Sequence, residues 1–264
     1  MMIVSHRSLV AVLGVLLVAA TPALAADPLK VGAYPANPPW EFKAADGHFE
    51  GFEVDVVNDA AKRLNTTAAF QDYGFQALFA GISSGRIDMA ISSITITPER
   101  LKNQAFTQPY YDSDGAVLTK ADSLLATLQA MKGKTLGVIA ASSGEAYLKK
   151  EGEKLGVAEI KSYTSQDNLM LDVRNGRIDG GVGEVAGFQY AMSKTPGYKI
   201  AVRIPTGEHF AIMLKKGSSL LKPVSDAISA MKQDGTLGAI HKKWFGTDAE
   251  AGSSTLTVAP LPTE

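Results

Sequence analysis

Hydroxyl groups and one arginine are concentrated in the stretch AISSITITPER, which runs from Ala90 to Arg100. Hydroxyl groups donate and accept hydrogen bonds, and the planar guanidinium of arginine donates a fork of N–H groups that matches a carboxylate. The isoleucines of the same stretch alternate with these polar residues and can fill a core. We therefore predict that a small, hydrogen-bond-accepting ligand binds beside Ser92, Ser93, Thr95, Thr97 and Arg100.

A second candidate site lies in the stretch LGVIAASSGEAYLKKEG. Leu136–Ile139 is predicted to be a strand and the chain from Glu145 onward a helix, so that Ser142 and Ser143 occupy the turn between them. The free N–H groups and partial positive charge of a helix N-terminus suit a carboxylate or another anion. The alternative is that one of the two serines only caps its own helix. The motif by itself leaves both interpretations open.

Strand and helix patterns alternate along the chain, which indicates an α/β fold and neither a sandwich nor a helical bundle. Apolar residues at helical spacing predict helices over Gly51–Asn65 and Phe75–Ser84, and Pro98 is predicted to begin a helical turn. Short apolar runs predict strands at Leu29–Ala33, Ala68–Gln71 and Asp88–Ser92.

One local pattern occurs twice. The tetrapeptide Gly85-Arg86-Ile87-Asp88 returns as Gly176-Arg177-Ile178-Asp179, and each copy follows a helical segment and precedes a short strand of small and apolar residues. Open α/β sheets bind ligands beyond the carboxyl ends of their strands. We therefore expect two similar lobes whose polar strand ends face one cleft.

The N-terminus has the layout of a secretory signal peptide. His6 and Arg7 precede an apolar run from Leu9 to Ala20, and Ala23-Leu24-Ala25 provides the small residues of a cleavage site after residue 25. The run is much shorter than the roughly 20 residues that a bilayer-spanning helix needs. The chain has no cysteine, so neither a lipid anchor nor a disulfide is expected. These features predict export to the periplasm.

Composition argues against two classes of function. The formal net charge is -1, aromatic residues make up 8% of the chain, and no cluster of five or more lysines and arginines occurs, so nucleic acid is not an expected partner. The histidines do not share the spacing of metal ligands. We predict neither a metal nor a cofactor.

Several motifs together resemble family 3 periplasmic solute-binding proteins, the amino-acid receptors of ABC importers. In chain order they include Val31-Gly32, Pro38-Pro39-Trp40, Gly51-Phe52-Glu53-Val54-Asp55, Gly85-Arg86-Ile87-Asp88, Thr95-Ile96-Thr97-Pro98-Glu99-Arg100 and Lys243-Trp244-Phe245-Gly246. The resemblance implies a type II periplasmic-binding-protein fold, in which two lobes, each a central sheet flanked by helices, are joined by two hinge strands. It assigns residues 26–116 and 211–247 to a discontinuous lobe 1 and 117–210 to lobe 2. The Ser-, Thr- and Pro-containing segment 248–264 is expected to be a disordered tail.

The resemblance also implies roles for individual residues. Arg100 corresponds to the family's carboxylate clamp, with Ser93 and Thr95 as further hydrogen-bonding groups, and Phe75 corresponds to an aromatic shelf beneath the ligand. Glu184 stands where the family has an aspartate for the α-ammonium group. The lobe 2 turn corresponds to Ser142 and Ser143. Tyr34 and Asn37 replace an acid and an aromatic residue of several relatives, which favours an uncharged polar or acidic amino acid over a cationic one.

The expected function is capture of a free amino acid by a monomer and its delivery to an ABC transporter permease in the inner membrane. The alternative is an enzyme similar to cyclohexadienyl dehydratases, which share the scaffold and place a glutamate near the position of Glu184. Those enzymes also use a lysine after the arginine motif, whereas Tyr110–Gly115 contains Asp112 and Asp114. The sequence leaves open whether the ligand is handed to a signalling receptor instead of a permease.

Overall fold

The computed structural model describes residues 27–263, so the predicted signal peptide lies outside the described residues. The helices are α1 Phe52–Arg63, α2 Phe75–Ser84, α3 Pro98–Leu101, α4 Ser143–Glu151, α5 Gln166–Arg174, α6 Val185–Lys194, α7 Leu221–Gln233 and α8 Thr236–Phe245. The strands are β1 Leu29–Ala33, β2 Ala36–Asn37, β3 Glu41–Lys43, β4 Phe49–Glu50, β5 Ala68–Asp72, β6 Met89–Ile91, β7 Gln104–Phe106, β8 Tyr111–Lys120, β9 Thr135–Ile139, β10 Glu159–Tyr163, β11 Gly180–Glu184, β12 Tyr198–Phe210 and β13 Met213–Lys215. In the part of the chain that the structure describes, no helix has the length and apolar character needed to cross a membrane.

Two five-stranded mixed sheets form the centres of the two lobes. The strand order is β5-β1-β6-β13-β7 in the first sheet and β10-β9-β11-β8-β12 in the second. Strand β1 lies between β5 and β6 and runs parallel to both, and β9 lies between β10 and β11 and runs parallel to both in the same way. Helices flank both sheets, so the predicted two-lobed α/β fold is confirmed.

The repeated tetrapeptide has the same structural role in both lobes. Gly85 and Gly176 have φ angles of 72° and 71°, a left-handed conformation that suits glycine after a helix. In the first lobe an Asp88 carboxylate oxygen accepts from the Lys30 N–H at 2.8 Å, and in the second lobe an Asp179 oxygen accepts from the Thr135 N–H at 2.9 Å. Each aspartate therefore fixes the start of a neighbouring strand, β1 in the first lobe and β9 in the second.

The two lobes are connected through the ends of β8 and β12. These strands pair with each other along the second sheet, and Ser113, Asp112 and Tyr111 continue the pairing with Glu208, His209 and Phe210. Beyond this, Phe210 forms an isolated bridge with Thr95 of the first lobe. The chain thus passes between the two sheets through the paired segments 111–113 and 208–210.

An aromatic cluster lies between the first lobe and the hinge strands. The indole of Trp40 is fully buried, and its ring centroid lies 4.6 Å from Tyr111, 5.2 Å from Phe210, 5.3 Å from Phe245 and 5.7 Å from Phe52. Edge-to-face packing of this kind adds stability beyond the burial of apolar area. The cluster joins α1, α8 and both hinge strands into one block.

The C-terminal segment differs from the expected disordered tail. Thr255 is 2% exposed and its hydroxyl donates to the Tyr110 carbonyl at 3.0 Å, while the Ser254 N–H donates to an Asp112 carboxylate oxygen at 2.7 Å. Lys232 of α7 donates to the Thr257 carbonyl at 2.9 Å. Residues 248–263 form no helix or strand, but groups of the first lobe pair with the backbone of Ser254, Thr257 and Ala259.

Candidate ligand-binding site

A cavity lies between the two lobes. The volume open to the centres of water molecules is about 80 Å³, and one water needs roughly 10–15 Å³ by this measure, so the cavity suits a small molecule. Nine sequence-predicted residues line it, namely Tyr34, Asn37, Phe75, Ser93, Thr95, Arg100, Ser142, Ser143 and Glu184, whereas Thr97, which was also predicted beside the ligand, is not among the lining residues. The lining also includes Ser92 of the predicted hydroxyl stretch, and residues that sequence reasoning missed, among them Gln166, Glu208 and Phe210.

Arg100 belongs to the short helix α3. The hydroxyl of Thr97 caps this helix by accepting from the Arg100 N–H at 3.2 Å. The guanidinium donates through Nη1 to the Thr95 carbonyl at 2.7 Å and through Nη2 to the Ala141 carbonyl of the second lobe at 2.9 Å. Two bonds to carbonyls leave three of the five guanidinium N–H groups for a ligand.

The rings of Phe75 and Phe79 lie beside the same guanidinium. The central guanidinium carbon of Arg100 is 5.9 Å from the Phe75 centroid and 5.1 Å from the Phe79 centroid, which are cation–π distances. Burial lowers the pKa of Arg100 to about 10, while the nearby Glu208 carboxylate favours its charge. Arg100 is therefore a buried cation at neutral pH, held in place by aromatic faces and backbone carbonyls.

Glu184 ends β11 and caps the N-terminus of α6. Its Oε1 accepts from Trp40 Nε1 at 2.9 Å and from the Gly187 N–H at 2.5 Å, and its Oε2 accepts from the Ala186 N–H at 2.8 Å and from the Ser113 hydroxyl at 3.3 Å. Burial raises the pKa of Glu184 to about 7, although these hydrogen bonds favour the ionised form. The contact with Trp40 connects the two lobes.

Glu208 is a second carboxylate of the cavity, and it lies on β12. The residue is 8% exposed, and its Oε2 accepts from the Thr95 hydroxyl at 3.0 Å. Sequence reasoning missed Glu208 because an acid on a long strand that alternates between buried and exposed positions gives no signal of its own. Only the crossing of β12 between the lobes brings it to the site.

Ser93 has an unusual backbone conformation above a buried carboxyl pair. Its φ angle is 42°, and its N–H donates to both carboxylate oxygens of Glu53 at 3.0 Å. The Tyr110 hydroxyl also donates to Glu53, and Asn37 Nδ2 donates to Glu41 at 3.2 Å and to the Ser93 hydroxyl at 3.3 Å. This network fixes the backbone at the point where the AISSITITPER stretch leaves its strand.

Glu41 and Glu53 are both fully buried and hydrogen-bonded to each other. Burial and the neighbouring Glu53 carboxylate raise the pKa of Glu41 well above its usual range, and burial also raises the pKa of Glu53. Hydrogen bonds from Tyr110 and Ser93 favour the charge on Glu53. The pair therefore favours one shared proton, and Glu41 is the member that holds it more strongly.

On the second lobe, the turn before α4 faces the cavity. The Ser142 hydroxyl accepts from the Glu145 N–H at 3.2 Å, so Ser142 caps its helix while it also lines the cavity. Ala141 has a φ angle of 64° and directs its carbonyl to Arg100. Across the cleft mouth the Tyr34 hydroxyl donates to the Thr164 carbonyl at 3.2 Å.

Comparison with known proteins agrees with this fold and cleft. The family description "bacterial extracellular solute-binding proteins, family 3" matches residues 29–247. This chain belongs to that family. The family 3 match includes both sheets and all of the cavity-lining residues named above.

Individual family 3 relatives bind different amino acids. The L-cystine-binding protein TcyJ of Escherichia coli (strain K12) is 35% identical over 228 residues, which cover 83% of this chain and 83% of that protein. The histidine-binding periplasmic protein of Salmonella typhimurium is 30% identical and covers 88% of this chain and 94% of its own. The structure of an ancestral arginine-binding protein bound to arginine has a TM-score of 0.79 at 33% identity and covers 83% of this chain and 98% of its own. All three are named as binding proteins.

Proposed function

We propose that the chain is a periplasmic receptor that captures a free amino acid between its lobes and delivers it to an ABC transporter permease. The observation that carries this proposal is the buried guanidinium of Arg100, which faces an inter-lobe cavity with three N–H groups left for a ligand. A planar guanidinium binds a carboxylate through two parallel hydrogen bonds. Export through a signal peptide of residues 1–25 and a monomeric state belong to the same proposal.

In this proposal lobe 1 consists of residues 26–116 and 211–247, and lobe 2 consists of residues 117–210. Each lobe supplies part of the cavity lining, so closure of the lobes surrounds the ligand. Ser93, Thr95 and Phe75 contribute from lobe 1, and Ser142 and Ser143 contribute from lobe 2. The backbone bonds of Ser93 and the cap at Ser142 support a prearranged site, which reduces the cost of ordering on binding.

The side-chain pocket supports a neutral ligand side chain. Tyr34 and Asn37 provide no charge there, which argues against a cationic side chain. Glu184 and Glu208 place two carboxylates in the cavity against the one guanidinium of Arg100. An acidic side chain would add a further negative charge, so we favour an uncharged polar amino acid over the acidic one that the sequence also allowed.

A thermal-shift screen of the common L-amino acids and L-cystine tests the proposal. Ligand that binds only the folded state stabilises it, and a concentration near 100 Kd adds roughly 2.7 kcal/mol to the free energy of unfolding. We expect a rise in melting temperature with at least one amino acid. A rise with an organic acid or a sugar, together with none for any amino acid, would contradict the proposal.

One observation favours the dehydratase alternative. A buried glutamate with a pKa of about 7, such as Glu184, has the properties of a general acid. We nevertheless propose that the protein is not an enzyme, because backbone and side-chain donors already occupy both oxygens of Glu184. Incubation with prephenate or arogenate should therefore yield no phenylpyruvate or phenylalanine. Turnover that Glu184→Gln abolishes would establish the enzyme instead.

A further inference from the structure

The hydrogen bonds of Glu184 bear on which group receives the ligand's ammonium. A carboxylate has two oxygens with about four acceptor positions in total. Trp40 Nε1 and the Gly187 N–H occupy Oε1, and the Ala186 N–H and the Ser113 hydroxyl occupy Oε2. Three of these four donors are N–H groups that cannot turn away. The Ser113 hydroxyl can instead donate to the Asp114 carbonyl at 3.4 Å, so Glu184 has at most one acceptor position for an ammonium group.

Glu208 is in the opposite situation. Within residues 27–263 its carboxylate has one hydrogen-bond donor, the Thr95 hydroxyl on Oε2. The side chain lines the cavity and the residue is 8% exposed, so the carboxylate has little contact with bulk water outside the cavity. A buried carboxylate with one donor is costly unless a further donor or cation completes it. A ligand ammonium has three N–H groups and one positive charge, which is what Glu208 lacks.

Thr95 holds the two opposite charges of the cavity next to each other. Its carbonyl accepts from Arg100 Nη1 at 2.7 Å, and its hydroxyl donates to Glu208 Oε2 at 3.0 Å. Arg100 and Glu208 are also close enough for the carboxylate to favour the charge on the guanidinium. An α-amino acid carries its carboxylate and its ammonium on the same carbon atom. The adjacent charges of the cavity are complementary to that arrangement.

We propose that Glu208, and not Glu184, receives the α-ammonium group of the bound amino acid. This assignment rests on the proposed function. Glu184 then acts as a positioning residue that caps α6 and connects the lobes through Trp40. Glu208 reaches the ligand from the hinge strand β12, so recognition of the ammonium takes place where the lobes are joined.

Isothermal titration with paired ligands tests the assignment. The probes are the tightest-binding amino acid among the common L-amino acids and L-cystine, and its des-amino counterpart, which keeps the carboxylate and the side chain. For the amino acid, Glu208→Gln should weaken binding by about 30-fold or more, because one member of a desolvated charge pair is removed. For the des-amino acid, wild type and Glu208→Gln should agree within about threefold, because no ammonium is present.

Glu184→Gln is the matched control, since it is the same change in the other cavity carboxylate. Glu184→Gln should lower the melting temperature, because the helix cap is lost. It should also weaken the binding of the amino acid and of the des-amino acid by equal factors. Glu208→Asp, which keeps the charge, should retain part of the preference for the amino acid, and circular dichroism checks that each variant is folded. An amino-acid Kd for Glu208→Gln within about threefold of wild type overturns the assignment. The assignment to Glu208 is also overturned if Glu184→Gln alone loses the preference for the amino acid over the des-amino acid. If the wild-type protein binds no amino acid at all, the proposed function itself is refuted.

Discussion

The guanidinium of Arg100 is fixed in position by groups of the protein itself. Thr97 caps its helix, the carbonyls of Thr95 and Ala141 accept two of its N–H groups, and two phenyl rings flank it. A binding group that is already ordered loses little conformational freedom when a ligand arrives. At the scale of single residues, the affinity for a carboxylate should therefore depend strongly on this side chain.

The first prediction concerns the removal of that guanidinium. Breaking one side of a buried, hydrogen-bonded charge pair costs about 2–5 kcal/mol, so Arg100→Ala should weaken amino-acid binding by about 30-fold to several thousandfold. Arg100→Lys should recover only part of the loss, because an ammonium cannot make two parallel hydrogen bonds to one carboxylate. Isothermal titration measures both. The exposed Arg86 provides the control variant Arg86→Ala, and a Kd for Arg100→Ala as close to wild type as that of Arg86→Ala would refute the clamp.

The second prediction concerns the buried proton shared by Glu41 and Glu53. The pKa of Glu41 is raised well above its ordinary value of 4.5, so above that pH the folded state keeps a proton that the unfolded state releases. Stability is therefore lost as the pH rises from about 4.5, by at most about 1.4 kcal/mol per pH unit for one proton. Glu41→Gln keeps an N–H donor toward Glu53 but does not titrate. Relative to wild type, its free energy of unfolding should rise between about pH 5 and pH 8.

Denaturant unfolding at several pH values measures this difference. The exposed Glu99 gives the control Glu99→Gln, whose stability relative to wild type should not depend on pH in that range. Parallel pH profiles for wild type and Glu41→Gln would contradict a protonated Glu41.

At the scale of elements, helix α7 holds the C-terminal segment. Lys232 Nζ donates to Gln108 Oε1 at 2.8 Å, to the Pro109 carbonyl at 2.7 Å and to the Thr257 carbonyl at 2.9 Å, and the Ala259 N–H donates to the same Gln108 oxygen at 3.1 Å. Burial lowers the pKa of Lys232 to about 8. One ammonium thus joins the helix, the chain before β8 and the tail.

The third prediction is that Lys232→Met loosens the tail. The substitution removes all three hydrogen bonds, and a hydrogen bond from a charged donor contributes about 1.5–3 kcal/mol at most. Because the freed carbonyls can turn to water, we expect the free energy of unfolding to fall by about 1–3 kcal/mol in total. Hydrogen exchange of the Ser254 and Ala259 amides should become faster. Lys222→Met on the same helix, where the lysine is 77% exposed and paired with Asp226, should leave both quantities nearly unchanged. Equal exchange rates in the two variants would contradict the role of Lys232.

The elements also show what the sequence can and cannot predict. Strand Leu29–Ala33 and helix Phe75–Ser84 were predicted with the bounds that the structure has, because their apolar periodicity is local. The sequence did not predict the ordered tail, because the partners of the tail, such as Lys232, are distant in sequence. For the same reason, the sequence identified Glu184 as a site residue but neither its four donors nor the neighbouring carboxylate Glu208, which depend on how β12 crosses between the lobes.

At the scale of the whole molecule, hydrogen bonds that lie away from the hinge strands β8 and β12 also connect the two lobes across the cleft. They join Trp40 Nε1 to Glu184, Arg100 Nη2 to the Ala141 carbonyl, and the Tyr34 hydroxyl to the Thr164 carbonyl. Each bond requires the lobes to be close together. Any free energy that these bonds contribute therefore favours the closed arrangement over an open one and adds to the ligand affinity.

The fourth prediction uses the two tryptophans of the chain. Trp40→Phe keeps an aromatic ring but removes the donor to the Glu184 carboxylate, a bond worth about 1.5–3 kcal/mol, so amino-acid binding should weaken about tenfold or more. Trp244→Phe removes a hydrogen bond to Asp55 within the first lobe and should change the Kd by less than about threefold. Isothermal titration measures the Kd of both variants. An equal loss of affinity in the two would show that the Trp40 contact does not favour closure.

The attachment of the tail to a hinge strand has a practical consequence. Ser254 is bonded to Asp112 on β8, while Leu256 two residues later is 40% exposed. Because the chain contains no cysteine, Leu256→Cys would introduce its single thiol for labelling. An environment-sensitive dye at that position would lie close to hinge strand β8, which the proposed closure of the lobes would move, so the chain end is a suitable place for an optical sensor of ligand binding.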